Sequence, residues 1–178
     1  MAVRCWVGVV TVGAVWLLGA VAPDPGIVLW LDREDFELRV RDVRDGVEGP
    51  RLPVALGSPA HPTPRGEFAL ERVILNPAWT PGPTARAAGA EPLPASRSTP
   101  MGVAKIPFGD RGPFALHGGA IPVLLGKPVS TGCIRLADRD LLGLIAWLEE
   151  RGSLRDERGT PGGEIHRGFR RPARLLTR

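Results

Sequence analysis

Cys133 and His117 are the two side chains in this sequence whose types and surroundings favour nucleophilic catalysis. The cysteine lies in segment 130–135 (Ser-Thr-Gly-Cys-Ile-Arg), and the histidine, which opens a His-Gly-Gly segment, comes sixteen residues earlier. A cysteine attacks carbonyl carbon as its thiolate, and a nearby imidazole or guanidinium favours that form. We therefore expect Cys133 to be a nucleophile, His117 to be its base, and Arg135 to lower the pKa of the thiol.

The residues beside the thiol predict a tight turn with backbone donors. Gly132 lets the chain turn closely and leaves the sulfur exposed. The N–H groups around Gly132 and Cys133 are candidates for an oxyanion hole, and Ser130 is a candidate orienting residue. A single cysteine or histidine is more often a buried structural residue. The combination of both with glycines and an arginine favours chemistry over that structural role.

Most of the elements that must position these residues are predicted to be strands. Four runs before the histidine are apolar or alternate apolar with charged residues, and Gly, Pro or Asp turns separate them: 27–31, 36–40, 52–57 and 67–75. Residues 80–100 are rich in Pro, Gly, Ala and Ser. They predict a long loop that is either a binding loop or a segment with little structure of its own.

One helix and a basic tail are predicted after the cysteine. Apolar residues recur at helical spacing in 140–148, namely Leu141, Leu144, Ile145 and Leu148. Asp138 is a candidate N-cap for this helix. The segment 151–178 contains eight arginines against three acidic residues. We expect residues 167–178 to be a basic tail that is solvated or touches an anionic polymer or membrane.

Composition bounds the class of protein. A chain of 178 residues fits one domain. With 43% hydrophobic and 24% charged residues it is not a disordered protein, and Gly 23 with Pro 19 predicts many turns. The sequence has no metal-ligand spacing, no Gly-rich phosphate loop and no nucleic-acid-binding motif. We therefore expect no metal, no cofactor and no nucleic-acid partner.

The first 22 residues have the composition of an export signal. Arg4 precedes an uncharged apolar stretch, 5–22, which ends in a small-x-small pattern. Pro23 would directly follow the cut, where proline disfavours cleavage, and a run of about 18 apolar residues is close to the length that spans a bilayer. Residues 1–22 are therefore predicted to be either a signal peptide or an uncleaved membrane anchor through 5–22, with the rest of the chain outside the cytoplasmic membrane.

The chain resembles the YkuD-type L,D-transpeptidase catalytic domain. The family signature is a His-Gly pair, a gap of this length, then Ser-x-Gly-Cys, an apolar residue and Arg or Asn. Other segments are similar to further parts of the family pattern: 27–56, 62–68, 76–79, 99–102 and 159–161. Thr131 stands where the family often has a second histidine. Residues 162–164 (Gly-Gly-Glu) replace an apolar stretch, so we expect a short last strand.

The resemblance implies a mostly β domain over 26–166, a β-sandwich or open barrel with one or two short helices. It implies that Cys133 forms a thioester with a peptidoglycan stem tetrapeptide, that His117 moves the protons, and that a carbonyl of Gly118 or Gly119 orients the imidazole. Arg135 is implied to bind a substrate carboxylate or to be structural. Thr131 and Trp79 are further candidates for substrate binding.

Several fates of the thioester stay open at this point. Its acyl group can pass to an amine of a second stem peptide in cross-linking, to water in a carboxypeptidase reaction, or to a lysine of a wall-attached protein. An inactive domain that only binds peptidoglycan is an alternative from another class. The Cys133, His117 and Arg135 set favours an enzyme, because a binding domain does not need a reactive thiol.

Overall fold

The computed structural model describes residues 26–109, 114–156 and 159–178. The predicted signal or anchor, 1–22, lies outside them. Within the described ranges, no helix has the length and apolar character needed to cross a bilayer.

Ten strands and two α-helices make up the described chain, so the prediction of a mostly β fold is confirmed. The strands are β1 Ile27–Asp32, β2 Glu37–Asp42, β3 Glu48–Pro53, β4 Leu56–Gly57, β5 Gly66–Leu75, β6 Ala104–Pro107, β7 Ala115–His117, β8 Pro128–Ser130, β9 Ile134–Arg135 and β10 Ile165–Thr177. The helices are α1 Pro83–Ala87 and α2 Asp138–Glu150, and Pro122–Leu124 form a 3-10 turn. Three of the four predicted strand runs, 27–31, 36–40 and 67–75, and the predicted helix are present. The run 52–57 is not one strand, because it spans the end of β3 and the start of the separate strand β4.

Eight of the strands form one open sheet in the order β3-β2-β1-β10-β5-β6-β7-β9, and β4 pairs with β8 in a second, two-stranded sheet. The pairs β1–β10 and β7–β9 are parallel, whereas the other neighbours in the large sheet are antiparallel. The large sheet is open because its end strands, β3 and β9, are not paired with each other.

The predicted basic tail over 167–178 is wrong, and so is the predicted short last strand. β10 has 13 residues and lies between β1 and β5 inside the sheet. Ala173 and Leu175 are 2% and 0% exposed, whereas the arginines of the strand occupy its wetter positions. The pairing with β5 shifts register between Gly168 and Ala173. That shift accommodates Pro172, which has no N–H to donate to a ladder.

The core lies between the sheet and helix α2. The buried side of this helix presents the four aliphatic residues predicted from its spacing, Leu141, Leu144, Ile145 and Leu148. They pack in one cluster with aliphatic residues of β1, β2, β6, β7 and β9. The helix thereby packs on the face of the large sheet that is opposite to the predicted site.

The segment between β5 and β6 corresponds to the predicted long loop. It contains α1 and an isolated antiparallel bridge between Trp79 and Leu93. Its two ends are joined because the N–H of Asn76 donates to the carbonyl of Val103 at 3.0 Å. A further hydrogen bond connects the last part of the segment to its start, since the hydroxyl of Thr99 donates to the carbonyl of Pro77 at 3.0 Å.

Candidate active site

The predicted base and the predicted cation are neighbours across two parallel strands. β7 and β9 pair in the register Leu116–Ile134 and His117–Arg135. Leu116 and Ile134 are 1% and 0% exposed and belong to the core. Because side chains alternate along a strand, His117 and Arg135 point to the opposite face of the sheet. Cys133 lies directly before β9, and the same alternation predicts its side chain on this face, where the charge of Arg135 acts on the thiol.

The turn that presents the thiol is closed by Ser130. Its buried hydroxyl donates to the carbonyl of Cys133 at 2.6 Å and accepts the N–H of Gly132 at 3.1 Å. Gly132 has φ +111°, and a Cβ there would lie 2.5 Å from Cε1 of Phe114. Phe114 is itself stacked on Phe108, with ring centroids 6.1 Å apart. Only glycine therefore fits immediately before the cysteine.

A second sheet holds the other end of this turn. Gly57 of β4 is the register partner of Ser130, and the N–H of Ser58 donates to the Ser130 carbonyl at 2.8 Å. The buried hydroxyl of Thr63 accepts the N–H of Gly57 at 2.9 Å. The Pro-rich turn at 62–66 thus supports the cysteine turn through β4.

The thiol of Cys133 is half-buried. Burial raises its pKa, and this outweighs the opposite effects of a hydrogen bond from the backbone of Ala115 and of the Arg135 charge. The effect of Arg135 on the thiol pKa has the predicted sign, but the net shift of that pKa is upward. At neutral pH the resting site holds a protonated thiol rather than a thiolate.

The imidazole of His117 is almost fully buried and has one fixed tautomer. Its Nδ1 lies 2.7 Å from the carbonyl oxygen of Gly118. Because a carbonyl oxygen only accepts, Nδ1 carries the hydrogen. Nε2 is buried and has no hydrogen-bond partner in the described part of the chain. In the neutral ring this nitrogen has a lone pair that can take a proton.

Burial lowers the pKa of His117 to about 4. The positive charge of Arg135 works in the same direction, whereas the backbone acceptors of Gly118 and Met101 and the charge of Asp138 oppose it. The ring is therefore neutral, and able to act as a base, at any pH well above about 4.

Asp138 joins the histidine loop to the turn before β6. Its Oδ1 accepts the N–H of Gly119 at 2.8 Å and the N–H of Val103 at 3.1 Å. The prediction that Asp138 is the N-cap of α2 is wrong, because Ala137 holds that position and no side chain caps the helix. A Cβ at Gly118 would lie 2.1 Å from the same oxygen, so glycine is required there.

Three glycine amides of the site, including that of the predicted oxyanion residue Gly132, already have partners inside the protein. The N–H of Gly118 donates to Ala104 at 3.1 Å, that of Gly119 to Asp138, and that of Gly132 to Ser130. The carbonyl of Gly118 lies against the imidazole, the place that the resemblance gave to a carbonyl of Gly118 or Gly119. The amide of Cys133 remains a predicted oxyanion donor.

The three predicted substrate-binding residues differ in their exposure and in their contacts. Arg135 is held by paired backbone hydrogen bonds with Ala55, at 2.8 and 2.9 Å, and its buried Nε has no partner among the described residues. Thr131 is exposed in the cysteine turn. Trp79 is half-buried and bridges to Leu93. In the described chain, no hydrogen bond or ring contact joins Trp79 to His117 or Arg135.

Lys105 is a neighbour of the site that the sequence reasoning missed. It is the register partner of His117 on β6. Its Nζ donates to the carbonyl of Ala78 at 3.2 Å and lies 3.6 Å from Glu164, which accepts the N–H of Ala78 at 2.8 Å. These contacts hold Ala78, near the start of the long loop, beside the strand that pairs with the strand of His117. The alternation within β6 was the one sequence signal that could have placed Lys105 on this face.

The described ranges contain no group of three His, Cys, Asp or Glu side chains arranged to hold a metal ion. The predicted site residues bring together a thiol, an imidazole and a guanidinium.

A comparison with protein families matches residues 27–161 to YkuD, described as the L,D-transpeptidase catalytic domain. Among curated proteins, the chain is similar to the "Probable L,D-transpeptidase ErfK/SrfK" of Escherichia coli and to that of Salmonella typhimurium. Each is 34% identical over 98 residues, which is 51% of this chain and 31% of the relative. The chain thus spans about a third of the length of these relatives.

Solved structures agree on the fold. L,D-transpeptidase 3 from Mycobacterium tuberculosis is 19% identical with a TM-score of 0.53, over 86% of this chain and 61% of that one. A second L,D-transpeptidase, from strain H37Rv of the same species, is 19% identical with a TM-score of 0.52, over 86% of this chain and 58% of that one. At these identities the comparison shows a shared fold.

Proposed function

This chain belongs to the YkuD family of L,D-transpeptidase catalytic domains, and from that premise we propose that it is a peptidoglycan L,D-transpeptidase acting on the cell-wall side of the cytoplasmic membrane. Cys133 attacks a stem tetrapeptide at the carbonyl between the third, diamino-acid residue and the terminal D-residue. The acyl group then passes through a thioester to an amine acceptor.

One observation carries the proposal. His117 has one ring nitrogen tied to a carbonyl and the other without a partner in the described chain, on the sheet face that also bears Cys133. A neutral imidazole in this tautomer can accept a proton only at Nε2. A thiol and a one-sided base on neighbouring strands are the parts needed for acyl transfer.

In the first half-reaction, Nε2 of His117 takes the proton of the Cys133 thiol. The sulfur forms a bond to the carbonyl carbon, and the carbonyl π electrons move to oxygen. When the tetrahedral intermediate collapses, the C–N bond to the D-residue breaks. The proton on Nε2 passes to the leaving amine, and a thioester remains on the enzyme.

In the second half-reaction an acceptor amine attacks the thioester. Nε2 of His117 takes a proton from that amine, the C–S bond breaks, and the same proton returns to the sulfur. Atoms and charges balance, and the enzyme is regenerated. Water in place of the amine would give a carboxypeptidase reaction, and a protein lysine would give attachment of that protein to the wall.

Arg135 supplies the cation for the substrate in this scheme. Its buried Nε lacks a partner within the described residues, and a guanidinium binds a carboxylate through charge-assisted hydrogen bonds. We assign the carboxylate of the departing D-residue to it. Thr131 and Trp79 are assigned to the rim of the same substrate site.

The resting thiol and imidazole are both neutral in this proposal. The raised pKa of Cys133 and the lowered pKa of His117 disfavour a separated thiolate–imidazolium pair. Proton transfer therefore accompanies attack on the bound carbonyl instead of preceding it. Such a site has little reactivity toward other electrophiles before its substrate binds.

The test is the intact mass of the purified chain incubated with a disaccharide-tetrapeptide, beside Cys133→Ala and His117→Gln. We expect an acyl adduct that is absent in Cys133→Ala, formed slowly in His117→Gln, and followed by a cross-linked dimer. An adduct that yields only tripeptide would assign the carboxypeptidase reaction. Stem-peptide binding without an adduct, in a folded protein tested with each common diamino acid, would assign the binding module.

We assign residues 1–22 to export, as a signal peptide or a membrane anchor. The experiment is fractionation of cells that express the chain, with N-terminal sequencing of the product. A mature N-terminus at Pro23 indicates cleavage, and a membrane-bound chain that begins at Met1 indicates an anchor. Recovery of the intact chain from the cytoplasm would contradict both.

A further inference from the structure

We propose that Asp138 is a positioning residue that controls His117 through a single peptide group. The hydrogen-bonded series runs from Nδ1–H of His117 to the carbonyl of Gly118, and from the N–H of Gly119 to the carboxylate of Asp138. This inference rests on the proposed role of His117 as the base, and it assigns a carboxylate that acts on that base without touching it.

The two middle groups of this series belong to one peptide unit. The carbonyl of Gly118 accepts from the imidazole at 2.7 Å, and the N–H of Gly119, on the other side of the same C–N bond, donates to Asp138 at 2.8 Å. A peptide group is planar and rigid. Fixing its N–H therefore fixes the direction of its carbonyl, and with it the plane and tautomer of the imidazole.

The carboxylate also polarises this peptide. A negative charge at the N–H end draws the amide hydrogen and increases the negative charge on the carbonyl oxygen at the other end. That oxygen then binds Nδ1–H more strongly, most of all when the ring is an imidazolium. Asp138 thus stabilises the protonated ring, the form that exists between the two proton transfers.

The surrounding backbone is shaped to admit this carboxylate. A Cβ on Gly118 would lie 2.1 Å from Oδ1 of Asp138, and one on Gly102 would lie 2.2 Å from it. The same oxygen accepts a second amide, that of Val103, at 3.1 Å. One glycine and one amide come from segment 102–103, and one of each comes from segment 118–119. The two segments together fix the position of this oxygen.

The charges around His117 give Asp138 a distinct role. Arg135 faces the ring from β9 and lowers its pKa, whereas Asp138, from the start of α2, raises it. Lys105, the partner on β6, has its ammonium 3.6 Å from Glu164. Cys133 provides the thiol on the same face. Asp138 is therefore the acidic side chain whose removal changes the ring most directly.

The experiment is an NMR titration of the full chain labelled with 15N-histidine, comparing wild type with Asp138→Asn and Asp138→Ala. The chain has three histidines, and the His117 signals are assigned by their loss in His117→Gln. The matched control is Asp140→Asn, which removes a carboxylate from the same first turn of α2, where Asp140 pairs with Arg139.

We expect Asp138→Asn to keep the Nδ1–H tautomer, since the amide oxygen still accepts, but to lower the pKa of His117 by about half a unit or more. Asp138→Ala should populate the Nε2–H tautomer as well. Asp140→Asn should change neither signal. A folded Asp138→Asn with the wild-type pKa would overturn the proposal, and this variant decides the matter even if Asp138→Ala does not fold.

The titration needs no substrate, so its outcome is independent of the proposed reaction. If the chain forms no thioester with any stem peptide while Asp138→Asn still lowers the pKa of His117, the proposed function fails and the positioning role stands. A normal adduct rate in Asp138→Asn and Asp138→Ala, with an unchanged titration, would remove the positioning role alone.

Discussion

His117 and Arg135 are register partners on two parallel strands, so the base of the proposed reaction is held next to a permanent positive charge. Burial is the main reason that the pKa of the imidazole is low, and the guanidinium adds to it because a second positive charge beside it is unfavourable. It also places the group to which we assign the substrate carboxylate one strand away from the base. In the proposed reaction the same cation has an electrostatic role toward the protein and a binding role toward the substrate.

Replacing Arg135 should therefore raise the pKa of His117. In Arg135→Gln we expect a rise from about 4 of up to about one unit, because a nearby like charge has been removed. An NMR titration of the histidine measures it. Arg139→Gln is the control, since that side chain is 93% exposed. A fall in the pKa of His117 in Arg135→Gln would contradict the assigned sign.

The Cys133 thiol should react slowly with small electrophiles at neutral pH. Its raised pKa leaves little thiolate, so the rate of alkylation by iodoacetamide should climb about tenfold per pH unit up to that pKa. Peptide mass mapping separates Cys133 from Cys5, the other cysteine. The urea-unfolded chain is the control and should react faster at pH 7. Fast alkylation of the folded protein below pH 7 would indicate a thiolate at rest instead.

Gly132→Ala should both destabilise the domain and stop acylation. The new Cβ would lie 2.5 Å from Phe114 in a backbone with φ +111°, and we expect a loss of about 2 kcal/mol or more in unfolding free energy. Urea denaturation measures the loss. Gly126→Ala, at φ +74° with nothing within 4 Å, isolates the backbone strain. Equal losses in the two variants would show that contact with Phe114 contributes nothing.

Asp42 should be a major contributor to stability far from the site. It is 0% exposed and lies 2.7 Å from Arg44, 3.2 Å from Arg151 and 3.6 Å from Arg171. The arginines left behind still reach solvent, so removing the carboxylate costs about 1–3 kcal/mol, the range for lost hydrogen bonds to a charged group. We expect a loss of that size for Asp42→Ala, measured by urea denaturation. Asp35→Ala, at an exposed ion pair, should cost less than about 1 kcal/mol.

The stability that Asp42 contributes should depend on pH in one direction. Burial opposes ionisation of this carboxyl, but hydrogen bonds from Arg44 and Arg151 hold its pKa below the usual 3.8. The contribution is therefore complete above pH 3.8 and is lost as pH falls through the lower, folded-state pKa. The difference between wild type and Asp42→Ala should shrink below pH 3.8. A constant difference down to the acid transition would exclude the ionised pair as its source.

The parts of this protein that sequence patterns predicted are local ones. The spacing of Leu141 to Leu148 predicts α2, and the two glycine-containing segments around His117 and Cys133 predict a shared site. β10 could not be found in this way. Its arginines and Pro172 give it a polar sequence without clear alternation, and it is a strand because β1 and β5 lie on either side of it.

Two properties of the site also depend on distant contacts. Asp138 resembles a helix cap in the sequence, and its partners Val103 and Gly119 are 35 and 19 residues away. The pKa of Cys133 depends on how deeply the fold buries it, because the cation nearby is too weak to reverse that effect. Neighbouring residue types alone therefore do not determine the net shift of this pKa.

The central place of β10 determines when this sheet can be assembled. Within the large sheet, β10 is the strand that pairs with both β1 and β5, and it runs from Ile165 to Thr177. Until β10 has been synthesised, β1 to β3 on one side and β5, β6, β7 and β9 on the other therefore lack the strand that makes them one sheet. The sheet that carries His117 and Arg135 is therefore completed late in synthesis, by a strand that contributes neither of these residues.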